Sequence, residues 1–167
     1  MAGGVGGGVR RTAEDPSVAR DLNSGSELHR CQQCGACASV CPSQARGGIR
    51  PAELMARASL GAVDVRSERS VWLCAACMSC SERCPSGAGP GEVVARLREL
   101  ASEAGNRPPY LGEEAKRFMQ TGICFPKTGM TRKMRKELGL DDMEVSAEAV
   151  REVGEICRRT GLGRLRE

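Results

Sequence analysis

Residues Cys31-Gln-Gln-Cys-Gly-Ala-Cys-Ala-Ser-Val-Cys-Pro42 carry four cysteines spaced C-x2-C-x2-C-x3-C and closed by a proline. The same spacing returns at Cys74-Ala-Ala-Cys-Met-Ser-Cys-Ser-Glu-Arg-Cys-Pro85, so the chain contains an internal repeat. Three thiols at x2-x2 spacing sit on one tight loop and can all point at a single iron–sulfur cube. The fourth follows where the chain is already leaving the loop, and proline restricts what comes next. This spacing is the signature of a [4Fe–4S] site, and its two copies predict two [4Fe–4S] clusters. Small residues fill the loops: Gly35 and Ala36 in the first, Ala75, Ala76 and Ser79 in the second. They let backbone N–H groups approach the sulfur atoms, which raises a cluster's reduction potential.

In two-cluster ferredoxins the cysteine before the proline ligates the other cluster. Cluster one is therefore expected on Cys31, Cys34, Cys37 and Cys84, and cluster two on Cys74, Cys77, Cys80 and Cys41. The exchange cross-links the two halves of the repeat. The competing reading is structural zinc, which takes pairs of C-x2-C and one tetrahedral site per four ligands. Three cysteines at x2-x2 spacing plus Cys-Pro are an awkward set for it. A zinc-stapled interaction module is thus the remote alternative. Compact bacterial ferredoxins set their two motifs much closer together than Cys41 and Cys74 stand here. A helix-length insert suits an all-helical two-cluster module instead.

Aromatic residues make up only 2% of the 167 residues, so an apolar core built on large side chains would be thin. Metal ligation is expected to supply part of the missing stability. Ten cysteines raise the possibility of disulfides. Disulfides belong to secreted chains, and residues 1–25 hold no apolar run of signal-peptide length. Arg10-Arg11 is followed by Thr12-Ala-Glu-Asp-Pro16, where a twin-arginine signal needs an apolar segment. No stretch approaches the roughly 20 apolar residues of a membrane span. A soluble, cytoplasmic chain is expected. The net charge of +4 comes from interspersed signs and, with so few aromatics, offers no stacking platform for nucleic acid.

The chain reads as mainly α, with a flexible tail over 1–25, a helical di-cluster ferredoxin domain over 26–105 and a helical C-terminal extension for partner docking over 106–167. Pro51–Leu60 is predicted helical, with proline at the first position, Glu53 in the first turn and Gly61 as the stop. Val93, Val94, Leu97, Leu100, Ala101 and Ala104 recur at helical spacing between Pro90 and Gly105. In the extension, helices are predicted over Glu113–Gln120 and Thr131–Leu138. A third starts at the cap Ser146, with Val150, Val153, Ile156 and Cys157 on its apolar face. Cys124 and Cys157 lie outside both motifs and are expected to pack in the interior. His29 reads as a surface histidine. Lys127–Lys136 is a basic run with Met130 and Met134 at i, i+4 spacing, either a solvated face or a docking surface for an acidic partner.

The two cysteine motifs, the Val94-Ala-Arg-Leu-Arg-Glu-Leu100 helix and Thr121-Gly-Ile-Cys-Phe-Pro-Lys-Thr-Gly-Met-Thr-Arg-Lys-Met-Arg-Lys-Glu-Leu-Gly139 resemble the C subunit of heterodisulfide reductase from methanogenic archaea. The likeness covers most of residues 28–165. The cysteine motifs alone are shared with many helical ferredoxin modules, including those of succinate dehydrogenase-type enzymes; the second half is what points to this family. The resemblance implies an electron-transfer iron–sulfur subunit of a heterodisulfide reductase complex. It would relay electrons from the A subunit, which bears flavin and clusters, to the B subunit. The latter would bind and cleave the disulfide of coenzyme M and coenzyme B in methanogenesis. It would use Cys-Cys-Gly motifs for this, and this chain has none, so no catalytic residue is expected here. A hydrogenase or formate dehydrogenase would be an indirect partner. The alternative within the same class is an iron–sulfur subunit of a heterodisulfide-reductase-like sulfur-oxidation complex or of another dehydrogenase.

Overall fold

The computed structural model describes residues 21, 22, 24 and 26–162. Most of the tail expected over 1–25 lies outside these residues. Two compact units emerge, one running to Arg107 and the other beginning at Pro108. Among the described residues every regular element is helical.

The first unit repeats one plan twice. A 3-10 turn (Leu28–Arg30) leads into the first cysteine loop, a short helix α1 (Ala36–Ser39) and a longer helix α2 (Pro51–Ser59). A second turn (Ser70–Leu73) leads into the second loop, a short α3 (Ser79–Glu82) and a long α4 (Pro90–Glu103). A further 3-10 turn, Gln44–Arg46, follows α1. Proline opens both long helices, where its missing N–H costs nothing. Both end in the same way. Gly61 and Gly105 take left-handed φ of 66° and 82°. The following N–H groups reach back to carbonyls of the last turn, Ala62 to Arg57 at 2.8 Å and Asn106 to Ala101 at 2.8 Å.

The buried positions of α2, Pro51, Leu54, Met55 and Ala58, recur at i, i+3, i+4 and i+7. They meet Val93, Val94, Leu97, Leu100 and Ala101 of α4 in one aliphatic cluster that also takes in Leu28, Ile49, Val63, Val65, Val71 and Ala88. Ala104, predicted on that face, caps the helix end and is exposed. Leu22 joins the cluster at 1% exposure, so the packed chain starts before the predicted end of the tail. A lone leucine in a polar stretch gives no periodic signal to read. α1 packs against both α2 and α3, and α3 against α4, which brings the two cysteine loops onto one side of the core.

Asn106 fastens the end of α4 to the segment before the second motif. Its Nδ2 donates to the carbonyls of Val65 (2.9 Å) and Glu68 (3.1 Å), and its own carbonyl accepts the Trp72 indole N–H at 3.0 Å. Asn106→Ala leaves two carbonyls short of a donor. It is expected to cost about 1–3 kcal/mol, read as a lowered melting temperature with the metal content unchanged.

The second unit contains α5 (Pro109–Thr121), α6 (Gly129–Glu137) and α7 (Ala147–Arg159), with α5 packed against α7. α5 starts earlier than predicted because Pro109 takes the first helical position after an extended Pro108. Thr128 and Ser146 cap α6 and α7, accepting from the N–H groups of Thr131 and Ala149. Only Ala115 and Cys157 of this unit's described residues are buried apolar side chains. Ile156, predicted on the apolar face of α7, is 60% exposed, because α5 covers only the stripe through Cys157. Cys124 is also exposed, against the expectation that it packs inside. Its segment is held through the backbone, with Arg117 Nη1 donating to the Cys124 carbonyl at 2.9 Å, and not by burial of the thiol. Among the described residues no helix is long and apolar enough to cross a membrane.

Candidate functional site

Both cysteine loops use the same backbone. Gln33 and Gly35 in the first, and Ala76 and Met78 at the equivalent places in the second, all have positive φ. Gly35 and Met78 each precede a short helix. Left-handed φ costs a non-glycine residue about 1–2 kcal/mol. Three such residues in two loops mark a geometry held for a purpose.

Four thiols line each of two cavities. Cys31, Cys34, Cys37 and Cys84 line one, Cys41, Cys74, Cys77 and Cys80 the other. Each set thus takes three cysteines from one motif and the pre-proline cysteine of the other. Cys37 and Cys80 sit on α1 and α3, which pack together, so they occupy the inner sides of the two sites. Cys34 and Cys77 are exposed and mark the outer sides.

The sulfur atoms receive hydrogen bonds that do not depend on each other. On the first set, Gln33 Nε2 donates to Cys31 Sγ at 3.1 Å and the Ala88 N–H to Cys84 Sγ at 3.3 Å, with the Ser86 hydroxyl 3.5 Å from the same sulfur. On the second, the Gln44 N–H donates to Cys41 Sγ and the Ala76 N–H to Cys74 Sγ, each at 3.4 Å. Ser43 joins the motifs: its hydroxyl donates to the Leu73 carbonyl at 2.7 Å and accepts from the Ile49 N–H at 3.3 Å.

Burial pushes the thiols of Cys37 and Cys80 up, and neighbouring cysteines add to it: Cys31 and Cys80 on the former, Cys74 and Cys41 on the latter. Burial acts the same way on Cys84, but hydrogen bonds from Ser86 and Ala88 outweigh it and bring that thiol below its ordinary range. A hydrogen bond from Ser79 lowers Cys77. Thiolates are the form that binds metal, so loading these sites releases protons.

The donor sets fit a four-iron cube. A zinc ion needs its sulfurs about 2.3 Å from a common centre, whereas thiols set around a cavity meet the separate corners of a larger group. Apolar walls and N–H donors aimed at sulfur suit the same group.

Sequence reading did not single out Gln33, Gln44, Ser86 and Ala88, which meet cysteine sulfur, or Arg98, which lies in the wall of the second cavity. Glutamine between cysteines is a visible signal for the first; nothing in the pattern of α4 marks Arg98. His29 is exposed and stands 3.5 Å from Glu27, as expected of a surface histidine.

Residues 27–88 match the family described as the 4Fe-4S dicluster domain. Over 146 residues the chain is 33% identical to the C subunit of the H2:CoB-CoM heterodisulfide,ferredoxin reductase of Methanothermobacter thermautotrophicus, covering 84% of this chain and 79% of that protein. It is 33% identical over 136 residues to the iron-sulfur C subunit of the CoB–CoM heterodisulfide reductase of Methanopyrus kandleri, covering 78% and 71%. It is 30% identical over 118 residues to the C subunit of the ferredoxin:CoB-CoM heterodisulfide reductase of Methanosarcina mazei, covering 71% and 73%. With its helical fold and its iron–sulfur domain, the chain belongs to the family of heterodisulfide reductase C subunits, which are iron–sulfur electron-transfer proteins.

Proposed function

We propose that this chain is the electron relay of a heterodisulfide reductase complex. In this reading two [4Fe–4S] clusters are held by Cys31, Cys34, Cys37 and Cys84, and by Cys41, Cys74, Cys77 and Cys80. They connect the flavin-bearing A subunit to the disulfide-reducing B subunit, which works on the CoM–CoB disulfide, in the cytoplasm. The observation that carries the reading is the crossed grouping of cysteines around two cavities.

When bound, such clusters supply one-electron redox chemistry. The chain's own residues do the rest. Eight cysteines fix the positions of the two groups. The contact of α1 with α3 sets Cys37 and Cys80 between the sites. Cys34 and Cys77 give each site an exposed corner through which a partner exchanges electrons. The N–H groups of Gln33, Gln44, Ala76 and Ala88 tune the sulfurs. Bond-breaking chemistry falls to a partner, which makes this a non-catalytic subunit.

The second unit serves docking in this reading. Met130, Met134 and Leu138 recur at i, i+4 and i+8 along and just past α6 and are 67%, 54% and 70% exposed. The cations beside them already have local acids: Arg132 with Asp142, Lys133 with Glu137 and Arg135 with Asp141. The apolar stripe, more than net charge, is what a partner would cover.

The test is reconstitution. The A and B subunits mixed anaerobically with this chain are expected to pass electrons from reduced flavin to the disulfide, and to lose that transfer when the chain is left out. Equal transfer without it would contradict the relay.

A further inference from the structure

Resting on the two-cluster reading above, we propose that Arg98 makes the two sites unequal, raising the reduction potential of the Cys41, Cys74, Cys77 and Cys80 site above that of its neighbour. Arg98 lies on α4 and forms part of that cavity's wall. Its Nε donates to the Val71 carbonyl at 2.8 Å and its Nη2 to the carbonyl of Cys74, the first cysteine of the second motif. The Trp72 ring centre lies 5.8 Å from the guanidinium carbon. These contacts hold the charge part-buried against the loop, where it cannot swing out to solvent. The guanidinium brings one whole positive charge to that wall.

The other cavity has no counterpart among its lining residues. Apart from its four cysteines, its wall draws its polar side chains from Gln32, Gln33 and Ser86. Arg30 stands near Gly87 on that side, but it is exposed and paired with Glu27 at 3.3 Å. Glu92 works against Arg98 on the second site, since it accepts the Ser81 hydroxyl. It also sits in the first turn of α4, where the helix dipole offsets a negative charge. Hydrogen bonds to sulfur differ little between the sites, with Gln33, Ser86 and Ala88 on the first against Gln44, Ala76 and Ser79 on the second. A whole charge fixed in a part-buried wall outweighs that difference.

Reduction adds one negative charge to a site. A fixed positive charge beside it stabilises the reduced form, while no bond forms or breaks and no proton moves. With a single electron aboard, the protein therefore keeps it on the Arg98 side, and electrons run from the Cys31 site toward the Cys74 site.

The experiment is an EPR-monitored redox titration of the anaerobically purified protein, with dithionite as the reductant. Signals are assigned by comparison with Cys34→Ala and Cys77→Ala. The unaltered protein is expected to place the first electron on the second-motif site with at least about a tenfold preference, equivalent to about 59 mV for one electron. Arg98→Gln should lower that preference about tenfold at unchanged iron and sulfide content, and Arg98→Lys should keep most of it. Simultaneous or reversed reduction in the unaltered protein would overturn the proposal, as would an Arg98→Gln shift shared equally by both sites. Should Arg98→Gln lose iron, the order in the unaltered protein and the Arg98→Lys titration decide the matter. A purified chain without iron and sulfide would instead sink the relay reading itself, a result distinct from two clusters of equal potential.

Discussion

Cys84→Ala is expected to remove or damage the cluster built by the first motif and to leave that of the second intact, although Cys84 belongs to the second motif. Cys84 lines the cavity of Cys31, Cys34 and Cys37, and its sulfur is held there by the Ala88 N–H at 3.3 Å and by Ser86. The reason is chain direction. After Cys80 the backbone runs through α3 and away from its own loop before Pro85, so the next cysteine is delivered to the neighbouring site. Removing one of four thiolates leaves an iron without its protein ligand, so roughly half the iron should be lost or labile. The check is comparative. The reduced EPR spectrum of Cys84→Ala should overlay that of Cys34→Ala, and that of Cys41→Ala should overlay that of Cys77→Ala. The opposite pairing would show that each motif closes its own site.

The second large effect is expected in the aliphatic core. Leu97 of α4 is 1% exposed within the cluster it shares with Met55, Leu54 and Val93. Leu97→Ala removes its buried methyl groups and leaves a cavity that close-packed neighbours fill only in part, at a cost of about 2–5 kcal/mol. Cys31, Cys41, Cys74 and Cys84 pack against the same cluster, so the loss should also speed bleaching of the iron–sulfur absorbance in denaturant. Ile156→Ala in the second unit is the control. That side chain is 60% exposed, and its loss should stay within about 0.5 kcal/mol. Anaerobic denaturation followed by circular dichroism and by absorbance separates the two variants. Equal sensitivity would mean that the core does not carry the first unit.

Much of this was legible in the residues. Pro51 and Pro90 announce the long helices and Gly61 and Gly105 end them, because proline and glycine act locally through φ and the missing N–H. That Cys84 lines the cavity of the first motif is expected from the two-cluster ferredoxin pattern, in which the chain is already leaving its own loop at the cysteine before the proline. Other features depend on contacts between distant segments and leave no local trace. Asn106 reaches Val65 and Glu68, and Arg98 reaches Val71 and Cys74, across the width of the unit. The left-handed Gln33, Ala76 and Met78 were hidden because side chains stand where the backbone would suit glycine; only Gly35 signals its turn. The scarcity of aromatics predicted a thin core, and the two units divide on this point. The first builds a continuous core from Leu, Val, Ile, Met and Ala, while the second buries little beyond Ala115 and Cys157.

The most direct measurement is iron and acid-labile sulfide analysis of the anaerobically purified chain, with EPR of the dithionite-reduced protein. Two cubes require about eight iron and eight sulfide per chain and the broadened spectrum of two interacting reduced clusters. Zinc in place of iron, with no sulfide, would contradict the account.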